Sequence, residues 1–134
     1  MKQTAKKAAT ILIAFLILAF LGFWAYVQIR TYPAEDYYLN LIMTNDNILV
    51  NEETNYFIIS TTSPDPSARP IIFYPGGLVA PEAYLYKMGM VASNLNTTVF
   101  IIKAPFNAAI FGTGAAGVII KNYEIEEAWV GGHS

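Results

Sequence analysis

The chain has 134 residues, with eight Lys and Arg against ten Asp and Glu and a formal net charge of −2. Its basic residues are scattered except for Lys2, Lys6 and Lys7, which argues against a nucleic-acid partner. With no cysteine and one histidine, His133, the chain has too few N and S ligands for a typical zinc site and forms no disulfide. We therefore expect no metal, no other cofactor and no nucleic acid.

The N-terminal segment from Ala8 to Ile29 contains no charged residue and is rich in Ile, Leu, Phe and Ala. As an α-helix it would be about 33 Å long, enough to cross the hydrocarbon core of a membrane. Three lysines precede the segment and only Arg30 follows it closely. The positive-inside rule then places residues 1–7 in the cytoplasm and the C-terminal domain outside it. The sequence predicts a single-pass anchor in the lipid bilayer of the cell membrane.

A cleaved signal peptide is the main alternative for this segment. Signal peptides have a shorter apolar stretch, followed by small residues at the cleavage site. Here Phe23, Trp24 and Tyr26 occupy the zone where small residues would be expected. An uncleaved anchor is therefore the favoured interpretation. A buried core helix is disfavoured because the segment is apolar on every face.

The remainder is predicted as a juxtamembrane linker over residues 30–47 and one α/β domain over residues 48–134. The linker leads into a short element of uncertain structure. Ile48–Val50 and Tyr56–Ser60 are β-rich runs separated by five polar residues, a pattern typical of a hairpin. The domain is thus expected to begin with two antiparallel strands.

A βαβ unit is predicted next. Ile71–Tyr74 and Thr98–Lys103 are short apolar runs, expected to be strands buried on two faces. A helix should open at Pro81 and bury one stripe, formed by Tyr84, Met88, Val91, Ala92 and Leu95. A second helical region near residues 107–122 and a last strand at residues 128–130 follow. This alternation predicts a parallel sheet covered by helices on both sides.

Two loops that follow predicted strands carry candidate catalytic groups. Gly132-His133-Ser134 supplies the first three positions of GxSxG, the turn that exposes a nucleophilic serine. After the earlier strand comes Pro75-Gly76-Gly77-Leu78, where backbone N–H groups can stabilise a developing oxyanion by about 3 kcal/mol each. Each pattern alone has a simpler explanation, a chance G-x-S or an ordinary Pro-Gly turn. Together, and each after a strand, they favour an acyl-transfer site.

These residues resemble the α/β-hydrolase fold family, particularly its dienelactone-hydrolase-like branch, from Pro70 to Ser134. The resemblance is carried by residues 71–77, 103–107 and 129–134. It implies a serine hydrolase of a small-molecule ester or related acyl substrate. Ser134 would be the nucleophile and a backbone N–H at Gly77 or Leu78 an oxyanion donor.

The family's catalytic acid and histidine come after the serine, so the resemblance implies only the N-terminal part of a domain and an incomplete triad. His133 is no substitute, because the immediate neighbour of the nucleophile cannot easily fold back as its base. The leading hypothesis is therefore an anchored serine hydrolase represented by an incomplete chain. A non-catalytic anchored α/β binding domain and an inactive truncated product are the alternatives. Substrate identity and oligomeric state stay open.

The stretch from Gly112 to Gly117 matches GxGxxG, the dinucleotide-binding pattern. That pattern should directly follow a strand and open a helix, with an acidic residue about twenty positions later. Here Phe106 to Phe111 intervenes after the strand, and the acidic residue is missing. The glycines therefore predict a broken or kinked helix and no nucleotide site.

Overall fold

The computed structural model describes residues 2–133, and the chain divides into two compact units after Arg30. The first is a single α-helix, α1, from Lys2 to Arg30. Its part from Lys6 to Arg30 has a mean hydropathy of 2.5 and is long and apolar enough to cross a membrane. The predicted helix is confirmed. This test of length and apolarity does not separate an anchor from a signal sequence, so the role of the helix as an anchor stays a prediction.

The second unit contains a five-stranded sheet in the order β1-β2-β4-β3-β5. Its strands are β1 (Ile48–Glu52), β2 (Tyr56–Thr61), β3 (Ile71–Tyr74), β4 (Val99–Ile102) and β5 (Trp129–Gly132). The predicted hairpin of β1 and β2 is confirmed, and β3 pairs in parallel with β4 and β5. The sequence pattern predicted a parallel sheet. Since β2 pairs with β4 antiparallel, the sheet is instead mixed.

Helices join the parallel strands on opposite faces of the sheet. A 3₁₀ turn (Pro81–Tyr84) and α3 (Leu85–Leu95) connect β3 to β4. Two further 3₁₀ turns and α4 (Ala115–Asn122) connect β4 to β5. The first connection leads from β3 to its neighbour on one side, and the second returns past β3 to its neighbour on the other. The strand order therefore reverses at β3.

The core lies in two layers, one on each face of the sheet. Residues of β4 alternate between them, with Val99 and Ile101 in one layer and Phe100 and Ile102 in the other. All four are buried, because α3 covers the first face and α4 the second. The predicted two-faced burial of this strand and the helices on both sides are confirmed.

Two features of the first layer differ from the expectation. Leu95 is 60% exposed because it is the last residue of α3, where the left-handed Asn96 ends the helix. Leu85, outside the predicted stripe, is buried. The segment predicted as a linker contains a helix, α2 (Asp36–Met43), whose Ile42 is buried in the same layer. This segment therefore contributes to the core.

Candidate active site

The candidate site lies where β3 and β5 end. Tyr74, the last residue of β3, is the register partner of Gly132, the last residue of β5. The His133 N–H then donates to the Tyr74 carbonyl at 3.0 Å. The loop that begins at Pro75 and the turn that begins at His133 therefore leave the same edge of the sheet. In open α/β sheets, ligands bind outside the carboxyl ends of the strands where the strand order reverses, which here is the end of β3.

Gly132 is required by the close approach of the two strand ends. A Cβ at this position would lie 3.0 Å from the Tyr74 carbonyl oxygen and 3.3 Å from the Tyr74 Cβ. Backbone cannot move aside cheaply, so only glycine fits without distorting the pair. This is the physical reason for the first glycine of the G-x-S pattern. Ser134 itself lies outside the described residues.

Tyr84 joins the two loops through its hydroxyl group. The Gly76 N–H donates to Tyr84 Oη at 3.1 Å, and Tyr84 Oη lies 2.7 Å from His133 Nδ1. Because Oη accepts from Gly76, its own hydrogen is available for His133 Nδ1. The direction of the hydrogen bond between Oη and Nδ1 depends on the imidazole tautomer. The side chain of Tyr84 is buried and packs against Phe73, with ring centroids 5.0 Å apart.

The two glycines of the loop have different surroundings. A Cβ on Gly76 would lie 2.7 Å from His133 Nδ1 and 3.1 Å from Tyr84 Oη, whereas a Cβ on Gly77 would meet nothing within 4 Å among the described residues. Gly76 thus permits the contact between the loops. Gly77 lies beside open space.

The two predicted oxyanion donors also differ. The Leu78 N–H donates to the Asn107 carbonyl at 2.8 Å, so it is already engaged in this conformation. The Gly77 N–H has no hydrogen-bond partner within residues 2–133. Of the two, Gly77 is therefore the donor that is free for a ligand, and its catalytic role stays a prediction.

Leu78 has a left-handed backbone, with φ 57°. A non-glycine residue there costs about 1–3 kcal/mol and persists only where its surroundings impose it. Here the Asn107 carbonyl holds its N–H, and the Tyr32 N–H donates to its carbonyl at 2.8 Å. Strain of this kind is concentrated at functional sites.

Comparisons with known proteins agree with this fold. A family model described as "Alpha/beta hydrolase family" matches residues 70–134. An esterase from the bacterial hormone-sensitive lipase family superposes with a TM-score of 0.54 at 14% identity, over 71% of this chain and 38% of that one. Residues 70–134, just under half of the chain, thus match the α/β-hydrolase family, and the solved structures show the same fold. It has no significant match among curated protein sequences.

Two further solved α/β-hydrolases show the same likeness. An esterase/lipase from an uncultured bacterium has a TM-score of 0.53 at 14% identity, over 82% of this chain and 39% of that one. A hormone-sensitive lipase from a metagenome library has a TM-score of 0.53 at 14% identity, over 72% and 38%. At such identities the likeness shows the fold alone. The chain spans less than two fifths of the length of these three structures, and the dienelactone-hydrolase-like branch stays a prediction.

Two contributors to this candidate site were missed by the sequence reasoning. Tyr84 was placed on a helical stripe, and nothing in a stripe distinguishes a core tyrosine from one whose hydroxyl joins two loops. Asn107 acts through its backbone carbonyl, which no side-chain pattern identifies. Its positive φ of 49° is common for asparagine, but that tendency alone does not indicate a site.

The glycines from Gly112 to Gly117 take no part in the site as a nucleotide loop. Gly112 ends a 3₁₀ turn, where a Cβ would lie 3.0 Å from the Ala104 Cβ. Helix α4 begins only at Ala115, so these residues do not directly follow a strand. Among the described residues, no group of three His, Cys, Asp or Glu side chains could hold a metal ion.

Proposed function

We propose that the protein is a membrane-anchored serine hydrolase that cleaves an ester or related small-molecule acyl substrate outside the cytoplasm. Ser134 is the nucleophile and the Gly77 N–H is one oxyanion donor. The match of residues 70–134 to the α/β-hydrolase family supports the reaction class. The length and apolarity of α1 support the anchor.

One observation carries the proposal. The Pro75–Leu78 loop and the Gly132–His133 turn leave adjacent parallel strands at the point where the strand order reverses, and Tyr84 joins them by two hydrogen bonds. A structural turn needs no such link between loops that are over fifty residues apart. An acyl-transfer site does, because the oxyanion donor and the nucleophile must be held at a set separation.

The proposed reaction has two steps. Ser134 Oγ attacks the carbonyl carbon and loses its proton to a general base, and the negative charge on the carbonyl oxygen is stabilised by the Gly77 N–H. The C–O bond to the leaving alcohol then breaks, the alcohol takes up the proton, and water hydrolyses the acyl-serine. His133 is unsuited as the base because it is the immediate neighbour of Ser134 in the chain and cannot easily fold back onto the serine hydroxyl. The proposal therefore assigns the base and its acidic partner to residues beyond Ser134.

The test is covalent labelling of the full protein in its native membranes with a fluorophosphonate. We expect the probe on Ser134 and no labelling of the Ser134→Ala variant. The label should also be lost after heat unfolding, since the free serine hydroxyl is a weak nucleophile. A folded wild-type protein that leaves Ser134 unlabelled would refute the proposal.

The 134 residues by themselves should show negligible turnover of p-nitrophenyl esters. Their one histidine is His133, and without a base the serine is barely activated. Hydrolysis by this chain that disappears in Ser134→Ala would contradict the proposed division of roles.

An anchored α/β domain without catalysis is the second candidate, and an inactive truncated product the third. One observation favours them: the Leu78 N–H, one of the two predicted oxyanion donors, already donates to the Asn107 carbonyl at 2.8 Å. Failure of a folded protein to be labelled at Ser134 would exclude the hydrolase and leave these two candidates. Retained ligand binding would then separate the second candidate from the third.

A further inference from the structure

The second unit begins with residues that are built into the candidate oxyanion loop. The Tyr32 N–H donates to the Leu78 carbonyl at 2.8 Å, and the Ala80 N–H donates to the Tyr32 carbonyl at 2.9 Å. The Asn107 side-chain amide donates to Thr31 Oγ1 at 3.1 Å. The point at which the chain enters this unit is therefore part of the site's own edge, which we call the entry edge (residues 31–34, 76–80 and 104–112).

Chain connectivity limits how far Tyr32 can lie from the last residue of the apolar segment. Tyr32 follows Arg30 by two residues, and two residues of fully extended chain reach about 7 Å. A helix that spans a membrane ends in the interfacial region. An oxyanion loop that is hydrogen-bonded to Tyr32 is then held near the membrane surface.

The entry edge also exposes large apolar side chains. Ile110 is 75% exposed and Phe111 is 56% exposed, and Phe106 and Phe111 are in edge contact at 5.7 Å between ring centroids. No charged residue occurs between Lys103 and Lys121. Burial of such side chains is favourable, and uncharged apolar surface of this kind marks an interaction site.

We propose that the entry edge rests on the membrane surface, with Ile110 and Phe111 inserted among the lipids. An apolar patch alone does not identify what covers it, but this one is hydrogen-bonded through Asn107 and Leu78 to the first residues after a helix able to span a bilayer. The site then opens toward lipid, and its substrate class is an acyl ester or related group carried by a membrane-borne amphiphile. This substrate assignment rests on the proposed hydrolase function.

The surface is tested by fluorescence on the chain reconstituted into phosphatidylcholine vesicles. Because the chain has no cysteine, Ile110→Cys and Phe111→Cys can each carry a single fluorophore. Leu95→Cys is the matched control, since Leu95 is 60% exposed and lies at the other edge of the sheet, before β4 begins. With nitroxide-labelled lipids in the bilayer, dyes at positions 110 and 111 should lose most of their fluorescence, and the dye at position 95 should lose none.

Equal quenching of the three dyes by the nitroxide lipids would refute the proposed membrane-facing surface. The measurement requires no turnover, so its outcome is independent of labelling at Ser134. Quenching without Ser134 labelling would keep the surface and refute the hydrolase. Labelling without quenching would keep the hydrolase and refute the surface.

The substrate class is tested on the full protein in membranes with the double variant Ile110→Ser, Phe111→Ser. We expect kcat/KM for a vesicle-borne ester to fall by at least about tenfold, because the variant loses both inserted apolar side chains. The kcat/KM for a short water-soluble ester should be unchanged. Equal losses for both esters, or no loss for either, would overturn the assignment.

Discussion

The hydroxyl of Tyr84 touches both loops of the candidate site. It accepts from the Gly76 N–H and contacts His133 Nδ1 at 2.7 Å. A phenylalanine would fill the same apolar space but would leave the buried Gly76 N–H without an acceptor. Such an unsatisfied group costs about 1–3 kcal/mol.

Tyr84→Phe should therefore lower the free energy of unfolding by about 1–3 kcal/mol and alter the imidazole of His133. His133 is the only histidine, so its nitrogen signals in NMR are unambiguous. In the wild type we expect the Nδ1 signal of a hydrogen-bonded nitrogen, and in the variant a shifted Nδ1 signal. Tyr86→Phe in the same connection is the control and should leave the His133 signals unchanged. If Tyr84→Phe also left them unchanged, the contact between Tyr84 Oη and His133 Nδ1 would be wrong.

Gly76 and Gly77 form a second residue-scale test, because they are adjacent and neither has a positive φ. Gly76→Ala should cost about 1–3 kcal/mol of stability, since its Cβ would lie 2.7 Å from His133 Nδ1. Gly77→Ala has no described atom within 4 Å of its Cβ and should change the urea midpoint little. The reverse order of the two midpoints would contradict the loop geometry.

Helix α2 shows what an element gains from a distant partner. It has only eight residues, and isolated helices of this length are not stable in water. Its Ile42 packs where Gly89 of α3 has no side chain, so a Cβ on Gly89 would collide with Ile42 Cδ1 and lie 3.3 Å from Ile42 Cγ1. Packing of Ile42 against Gly89 of α3 therefore stabilises α2.

Gly89→Ala should accordingly destabilise the protein, since overpacking of about 1–3 kcal/mol exceeds the gain in helix propensity of about 1 kcal/mol. Ile42→Val removes Cδ1, and in that background the same Gly89→Ala change should become neutral or stabilising. Urea unfolding of the four proteins of this cycle measures the coupling. Additive effects would show that the two residues do not compete for the same space.

At the scale of the whole molecule, the predicted topology places residues 1–7 in the cytoplasm and the second unit outside. The chain has no cysteine, so the single variants Gln3→Cys and Asn51→Cys each carry one thiol, predicted to lie on opposite sides of the membrane. A membrane-impermeant maleimide should label position 51 in intact cells, and position 3 only after permeabilisation. The reverse pattern would invert the topology, and a mature protein that lacks residue 3 would indicate a cleaved signal peptide.

The sequence alone determined the apolar helix, the strands β1 to β5 and the glycine loops after β3 and β5. These depend on local patterns: an uninterrupted apolar run, short β-rich runs and glycine after a strand. Tertiary structure decided the features of the site. Strand order placed β3 between β4 and β5, the Leu78 N–H was taken by the Asn107 carbonyl, and Tyr84 was brought to both Gly76 and His133. Each of these joins residues far apart in the chain, and such pairings follow from how whole elements pack, which no local pattern encodes.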